Sequence, residues 1–319
     1  MALGVAPGWG NLPQGNFQPE IYSKNVLKYF RRAAVVEAIT NTDYYGEISE
    51  MGDTVHIIKE PVVSVSDYTR GQTVNIQDLD DEATSLTVDQ AKQFGFAVDD
   101  LENKQAHLNW EGLATSSGAY AIKNDYDKSV MSYMENQVST SAPDNSLGSD
   151  SATAATGITA ATGSMALGFN PGNISPLAVM SRMSLRLDEQ DIPEEDRWFV
   201  ATPAFYEILQ DENSKLLDVD FSHDSDSKMR NGRISSGEVR GFKMYKSNNA
   251  PSTSSGATTS ADCLMAGHMS AVATASQIAK TEVLRSERFF GDIVRGLHLY
   301  GRGVLRSEAM AKAFWQVGT

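Results

Sequence analysis

Five histidines, His56, His107, His223, His268 and His298, are the side chains best suited by type to move a proton or hold a metal. None is followed four residues later by a second histidine or a cysteine, so a zincin-type H-E-x-x-H pair is absent. His56 and His298 sit in strand-like stretches and read as packed or interfacial. The G-x-S-x-G elbow, the G-x-G-x-x-G turn and the P-loop are all missing. Two acidic runs, "DLDDE" at 78–82 and "DVDFSHDSDSK" at 218–228, offer carboxylates to a hard cation. An EF-hand loop requires Gly at its sixth position and Glu at its twelfth. Counted from Asp218 those places hold His223 and Met229, and counted from Asp224 the sixth is Met229. Both runs therefore read as solvated loops. "KYFRR", ending in Arg31 and Arg32, joins cations to aromatics as a single-strand platform would. The plainer reading is a helix face that meets an acidic neighbour. "LRSERFFGDIVRG" alternates Arg285, Glu287, Arg288, Asp292 and Arg295 in sign, which suggests salt bridges within the chain or across an interface rather than a catalytic dyad.

The totals support this absence of chemistry. The 319 residues suffice for two or three packed units, and the charge balance is −14 with a pI near 4.8. Strong nucleic-acid binding needs the opposite balance, because phosphates are held by Lys and Arg. A wall enclosing nucleic acid is a different case, since an acidic surface repels its contents. The single cysteine, Cys263, permits no disulfide within the chain and reads as a small buried hydrophobe. The first twenty residues lack the basic and apolar regions of a signal peptide, and no run approaches a membrane span. The expected setting is cytoplasmic, or wherever an assembled product goes.

The elements come in a distinctive order. Residues 1–20 carry three Pro and four Gly, with Trp9 and Phe17 as the large anchors, and form an arm without a core of its own. "SKNVLKYFRRAAVVEAIT" reads as a short helix capped by Ser23, with Val26, Phe30 and Glu37 in helical spacing. "GDTVHIIKEPVVSVSDY" and "ATSLTVDQAKQFGFAVDD" read as two long strands joined by a polar tip, an extended hairpin too thin to stand alone. Residues 101–138 read as one long helix begun by Asp99 and Asp100. Ile122, Tyr126, Val130, Met134 and Val138 form its stripe, and Gly112 and Gly118 weaken its first half. Residues 139–173 read as a loop with one short strand. The second half alternates. Helices begin at Ser175-Pro176 and Thr202-Pro203, and "RWFVA" and "CLMAG" are strands. A strand through Phe242 and Met244 buries that face, "SAVATASQIAK" reads as an Ala-rich helix, and "GDIVRGLHLYGRGVLRSEA" is a closing strand.

Three stretches resemble the tailed-phage major capsid protein family with the Hong Kong 97-type fold. They are "TNTDYYGEISEMGDTVHIIKEP", "IPEEDRWFVATPAFYEIL", and "SGEVRGFKMYKSNNAP" taken with "KTEVLRSERFFGDIVRGLHLYGRGVLRSEAM". The resemblance spans roughly residues 20–310. It implies an α+β fold with an N-terminal arm, an extended β-hairpin loop, a long spine helix and a mixed α/β axial domain. The divisions are arm and short helix 1–52, extended loop 53–98, peripheral domain 99–174, axial domain 175–290 and a closing peripheral strand 291–319. It also implies a non-enzymatic protein without cofactors or a metal, forming hexamers and pentamers of an icosahedral shell around double-stranded DNA. The shell would be part of the virion and assembled in the host cytoplasm. The implied partners are other copies, a separate scaffolding protein (some 20 residues precede the first helix), a portal protein and, optionally, a decoration protein. DNA contact would be weak and non-specific, and no membrane is involved. Some relatives are cross-linked through a lysine of the extended loop; Lys59 and Lys92 lie in that region here, and no cross-link is predicted from them. Candidate inter-subunit contacts are Trp9, Phe17, Arg31, Arg32, Tyr68, Arg70, Asp80, Asp81, Arg285, Glu287 and Arg288. An encapsulin-like compartment shell, a phage tail or neck ring, and a hydrolase using His268 or His298 stay open as alternatives.

Overall fold

The computed structural model describes residues 34–43, 54–58, 63–65, 67, 69–71, 73, 76–77, 83–99, 110–139, 145–148, 159–160, 164–168, 172–210, 229–230, 233–234, 239–253, 261–287 and 290–317. Four helices are described: α1 (Val36–Ile39), α2 (Trp110–Gln137), α3 (Pro176–Asp188) and α4 (Pro203–Leu209). The strands are β1 (Thr54–Ile58), β2 (Ala83–Thr87), β3 (Gln90–Asp99), β4 (Ser146–Gly148), β5 (Thr159–Ala160), β6 (Met165–Leu167), β7 (Arg197–Ala201), β8 (Met229–Arg230), β9 (Arg233–Ile234), β10 (Lys243–Lys246), β11 (Ser252–Thr253), β12 (Ala261–His268), β13 (Val272–Arg285), β14 (Gly291–Val304) and β15 (Met310–Val317). The fold is mixed α+β.

The main core lies in an eight-stranded mixed sheet. Its order is β10-β7-β12-β15-β4-β5, with β11 added on β12 and β6 on β15. Every residue of β7 is buried, as expected for a strand covered on both faces. The α3 stripe, Val179, Met183 and Leu187, is fully buried in that core. Phe199, Phe205, Phe242 and Trp315 pack there through tilted and edge-on ring contacts. After α3 the chain turns through two left-handed residues, Asp191 and Asp196. The buried Arg197 guanidinium holds this turn, donating to the Ile192 and Pro193 carbonyls and pairing with Asp188 at 2.7 Å.

A second sheet, β13-β14-β3, is antiparallel throughout. Its two faces have different coverings, because alternate residues point to opposite sides. On one face Tyr300 Oη bonds Ser129 Oγ of α2 at 3.0 Å, and Arg302 donates to the Ser129 carbonyl and lies over the Tyr133 ring. On the other face Ala273, Ala275 and Leu299 form a small core with Leu86 and Val88. Gly301 lets that second layer approach closely: a Cβ there would stand 2.6 Å from the Thr87 carbonyl oxygen. The stripe on α2 is seen as expected, with Tyr126, Val130, Met134 and Val138 buried and Ile122 partly so.

Several sequence expectations need correction. "SAVATASQIAK" forms most of a 3-10 turn and the start of β13, not a helix. Alanine's helix propensity, the highest of any residue, is overridden here by tertiary pairing, and the small Ala273 and Ala275 pack with Leu86 where β13 pairs with β14. The returning strand of the hairpin is two strands broken at Val88-Asp89; β2 pairs with β1 and β3 with β14. Residues 139–173 contribute three short strands, β4, β5 and β6, rather than one. The closing strand stops at Val304, and a missed strand, β15, returns into the large sheet. Asp99 ends β3 instead of opening the helix, whose described part begins at Trp110. Glu37 is not on the buried face of α1; it is exposed and pairs with Lys123 at 2.8 Å, while Val36 and Ile39 are buried. In β10 both Met244 and Tyr245 are partly buried, so the face division is less clean than the alternation suggests, although Phe242 is fully buried. Ser175 and Thr202 precede their helices but make no side-chain cap; Thr202 instead donates to Asp262 at 3.0 Å.

Candidate assembly interface

Of the five histidines, His268 and His298 make defined structural contacts, and His107 and His223 lie outside the described residues. His268 Nδ1 lies 2.8 Å from Ser270 Oγ and accepts from the Ser270 N–H, a local cap two residues long. His298 stacks on Tyr300 and meets Tyr126 edge-on. Burial is the first cause holding both imidazoles below the ordinary histidine value. Among the described residues no group of three or more His, Cys, Asp or Glu is arranged to hold a metal. No described helix is long and apolar enough to cross a membrane. The acidic runs at 78–82 and 218–228 lie outside the described residues.

Two features carry most of the exposed large apolar side chains among the described residues. The first is the hairpin of β1 and β2, paired in register from Thr54–Thr87 to Ile58–Ala83. Beyond it, Gln77 Oε1 accepts from both the backbone and the hydroxyl of Ser64, at 2.8 and 2.9 Å, tying the two sides of the loop together. Ile58, Val63, Val65 (97% exposed) and Ile76 (87% exposed) stand in solvent along it. Arg70 sits exposed in a turn made with Gly71, whose φ of +89° suits glycine. The second feature is the β13–β14 turn, closed by a hydrogen bond from Ser286 N–H to the Gly291 carbonyl at 3.0 Å. Phe290 is 81% exposed there, with Val283 and Leu284 beside it. Arg285 pairs with Asp292 at 3.2 Å and Arg295 with Glu282 at 2.6 Å, so the alternating charges do make salt bridges across the two strands. Glu287 is exposed in the turn.

Of the contacts expected from sequence, Arg70, Arg285 and Glu287 fall on these two features. Trp9, Phe17, Arg31, Arg32, Tyr68, Asp80, Asp81 and Arg288 lie outside the described residues. Sequence reasoning passed over Val65, Ile76 and Phe290. "PVVSVS", "TVNIQD" and "RFFGD" carried the signal, apolar residues at a polar loop and turn. It also passed over Asp127, a fully buried carboxylate on α2 next to the stripe residue Tyr126. Lys92, considered for cross-linking, pairs with Asp125 of α2 at 3.1 Å. That hydrogen bond and charge raise its ammonium pKa.

No family model matches the chain, and no curated protein matches it. Solved structures do. A chain from Mycobacterium phage Che8 is 27% identical, with 93% of this chain and 97% of that chain covered at a TM-score of 0.74. The capsid structure of cyanophage P-SCSP1u is 16% identical, with 94% of each chain covered and a TM-score of 0.67. The mature capsid of bacteriophage PhiM1 is 16% identical, with 93% of this chain and 92% of that chain covered and a TM-score of 0.63. The chain has the fold of phage capsid proteins along nearly its whole length.

Proposed function

We propose that this chain is the major capsid protein of a tailed phage, with the Hong Kong 97-type fold and a structural rather than catalytic role. The observation that carries the reading is the near-complete overlap with phage capsid chains. The exposed apolar residues of the hairpin and the β13–β14 turn support it, since such surface is normally covered by a partner. In this reading β1–β2 and its tip are the extended loop, α2 is the spine helix and forms the peripheral domain with the β13-β14-β3 sheet, and the eight-stranded sheet with α3 and α4 forms the axial domain. Copies associate as hexamers and pentamers through unlike patches, the arrangement that closes rings. The shell encloses double-stranded DNA, and the net charge of −14 keeps contact with that DNA weak and non-specific. Scaffolding, portal and optional decoration proteins are the other partners, assembly takes place in the host cytoplasm, and the product is the virion.

The test is co-expression with the scaffolding protein, followed by negative-stain electron microscopy and analytical ultracentrifugation. Closed shells on the order of tens of nanometres are expected. A chain that stays monomeric at high concentration with scaffold present would sink the reading; tubes or single rings would point to a tail or neck component.

A further inference from the structure

His298 lies where α2 meets the β13-β14-β3 sheet. Its ring stacks on Tyr300 of the same strand, centroids 5.5 Å apart and planes 28° apart. Tyr126 of α2 meets both rings edge-on, at 5.7 Å from His298 and 5.1 Å from Tyr300. One ring of the three therefore belongs to the helix and two to the sheet. His298 is 8% exposed, and its Nδ1 is buried with no hydrogen-bond partner among the described residues. A neutral imidazole can leave one nitrogen as an unused acceptor, but an imidazolium must donate from both. A proton on this ring therefore creates a buried donor with nothing to receive it, which is costly.

The surroundings do not offset that charge. β3 places Lys92 directly across from His298, and β13 places Ile278 on the other side. Asp125 of α2 is already bound to Lys92. Asp127 of α2 is bound to Val35, Val36 and Asn249. On β14 the next charge on the same face is Arg302, another cation, which sits on Ser129 and Tyr133 of α2. The tyrosine faces offer a cation some attraction but no acceptor for Nδ1–H.

We propose that His298 is an acid-sensitive latch: protonation of its ring frees α2 from the three-stranded sheet. The sign follows from linkage. A detached histidine takes up its proton near pH 6.5, whereas burial holds the packed ring below that value. Between the two values the detached form binds more protons, so acidification favours release.

Hydrogen–deuterium exchange on the full-length chain tests this at about pH 7.5 and about pH 5, corrected for the intrinsic pH dependence of exchange. Protection over residues 120–134 and 296–302 should fall about tenfold in the unaltered chain and stay nearly constant in His298→Phe, which keeps a ring without a titrating nitrogen. Equal losses in both chains, or none in the unaltered one, would overturn the latch. Should His298→Phe fail to fold, histidine NMR on His268→Gln, which removes the other described histidine of lowered proton affinity, decides it. One ring is expected to titrate well below the rest, at the pH where protection is lost; all rings titrating together near 6.5 would overturn the proposal. Both readouts belong to the single chain, so they stand or fall separately from shell formation.

Discussion

Asp127 Oδ1 accepts hydrogen bonds from the backbone N–H groups of Val35, at 2.8 Å, and Val36, at 3.0 Å, across a separation of 91 residues in the second case. Its other oxygen accepts from Asn249 Nδ2 at 2.8 Å. One buried carboxylate thus joins the start of α1, the middle of α2 and the loop after β10. The segment it anchors runs beside β13, where the Asn41 N–H donates to the Val272 carbonyl at 2.8 Å, the Asn41 carbonyl accepts from the Thr274 N–H at 2.9 Å, and Thr40 Oγ1 lies 2.9 Å from Thr274 Oγ1. Replacing Asp127 with Ala orphans the two backbone donors and one bond of Asn249. Denaturant unfolding should show a loss of about 2–4 kcal/mol, and amide exchange over residues 34–41 should accelerate. An unchanged midpoint would show that this segment is held by other means.

Phe94 is wedged between two glycines. A Cβ on Gly296 would come 2.2 Å from its ring, and one on Gly118 of α2 would come 2.8 Å from it. Gly296→Ala is expected to destabilise by about 1–3 kcal/mol through overpacking. Gly118→Ala gains about 1 kcal/mol of helix propensity but meets the same ring, so its net effect should be unfavourable. In a Phe94→Leu background both penalties should shrink and Gly118→Ala should become favourable. A double-mutant cycle measured by thermal or urea unfolding reads the coupling directly. Additive effects would mean that the ring moves aside freely.

Cys263 is buried in β12, and burial raises its thiol pKa above the ordinary range. The folded chain should therefore react with a thiol reagent far more slowly than the unfolded chain at the same pH, since only the thiolate attacks. The linkage sign is the reverse of that for His298. The folded state holds this proton more tightly, so its contribution to stability is intact below the unfolded thiol pKa and is lost as pH climbs above it. Rapid labelling of folded protein at neutral pH would contradict the burial.

Val65 and Ile76 lie on the loop beyond the β1–β2 hairpin and touch solvent in the single chain. Changing both to Ser should leave the unfolding midpoint within about 0.5 kcal/mol, as for ordinary surface substitutions. Shell yield by electron microscopy should nonetheless drop sharply. Replacing residues 66–84 with a short Gly/Ser turn should likewise leave a soluble fold that does not assemble. Normal shells from either variant would remove the loop from the interface.

The long helix, the Pro-started α3 and α4 and the buried "RWFVA" strand were legible because each carries a local signature: a stripe, a proline at the first turn, an unbroken apolar run. β13 was not, because "AVATAS" fits a helix locally and becomes a strand only through pairing with β14 and the close approach of Leu86. β15 was missed because "MAKAFWQV" alternates weakly, being buried on both faces. Asp127 was invisible for a related reason. An acid within a helical stripe looks like a surface residue until the donors that surround it, far away in sequence, are brought to it. The salt bridges of β13 and β14 were readable in outline from alternating sign, although the pairing Arg285–Asp292 needed the register.

The hairpin has a packed root, and Val65 and Ile76 beyond it stand in solvent. Leu86 and Val88 are clamped against backbone that Gly301 and Gly303 leave uncovered, and the opposite side of that same thin sheet bears on α2. Such a part behaves as a cantilever. A load applied near Val65 or Ile76 would reach the long helix through that single layer of strands.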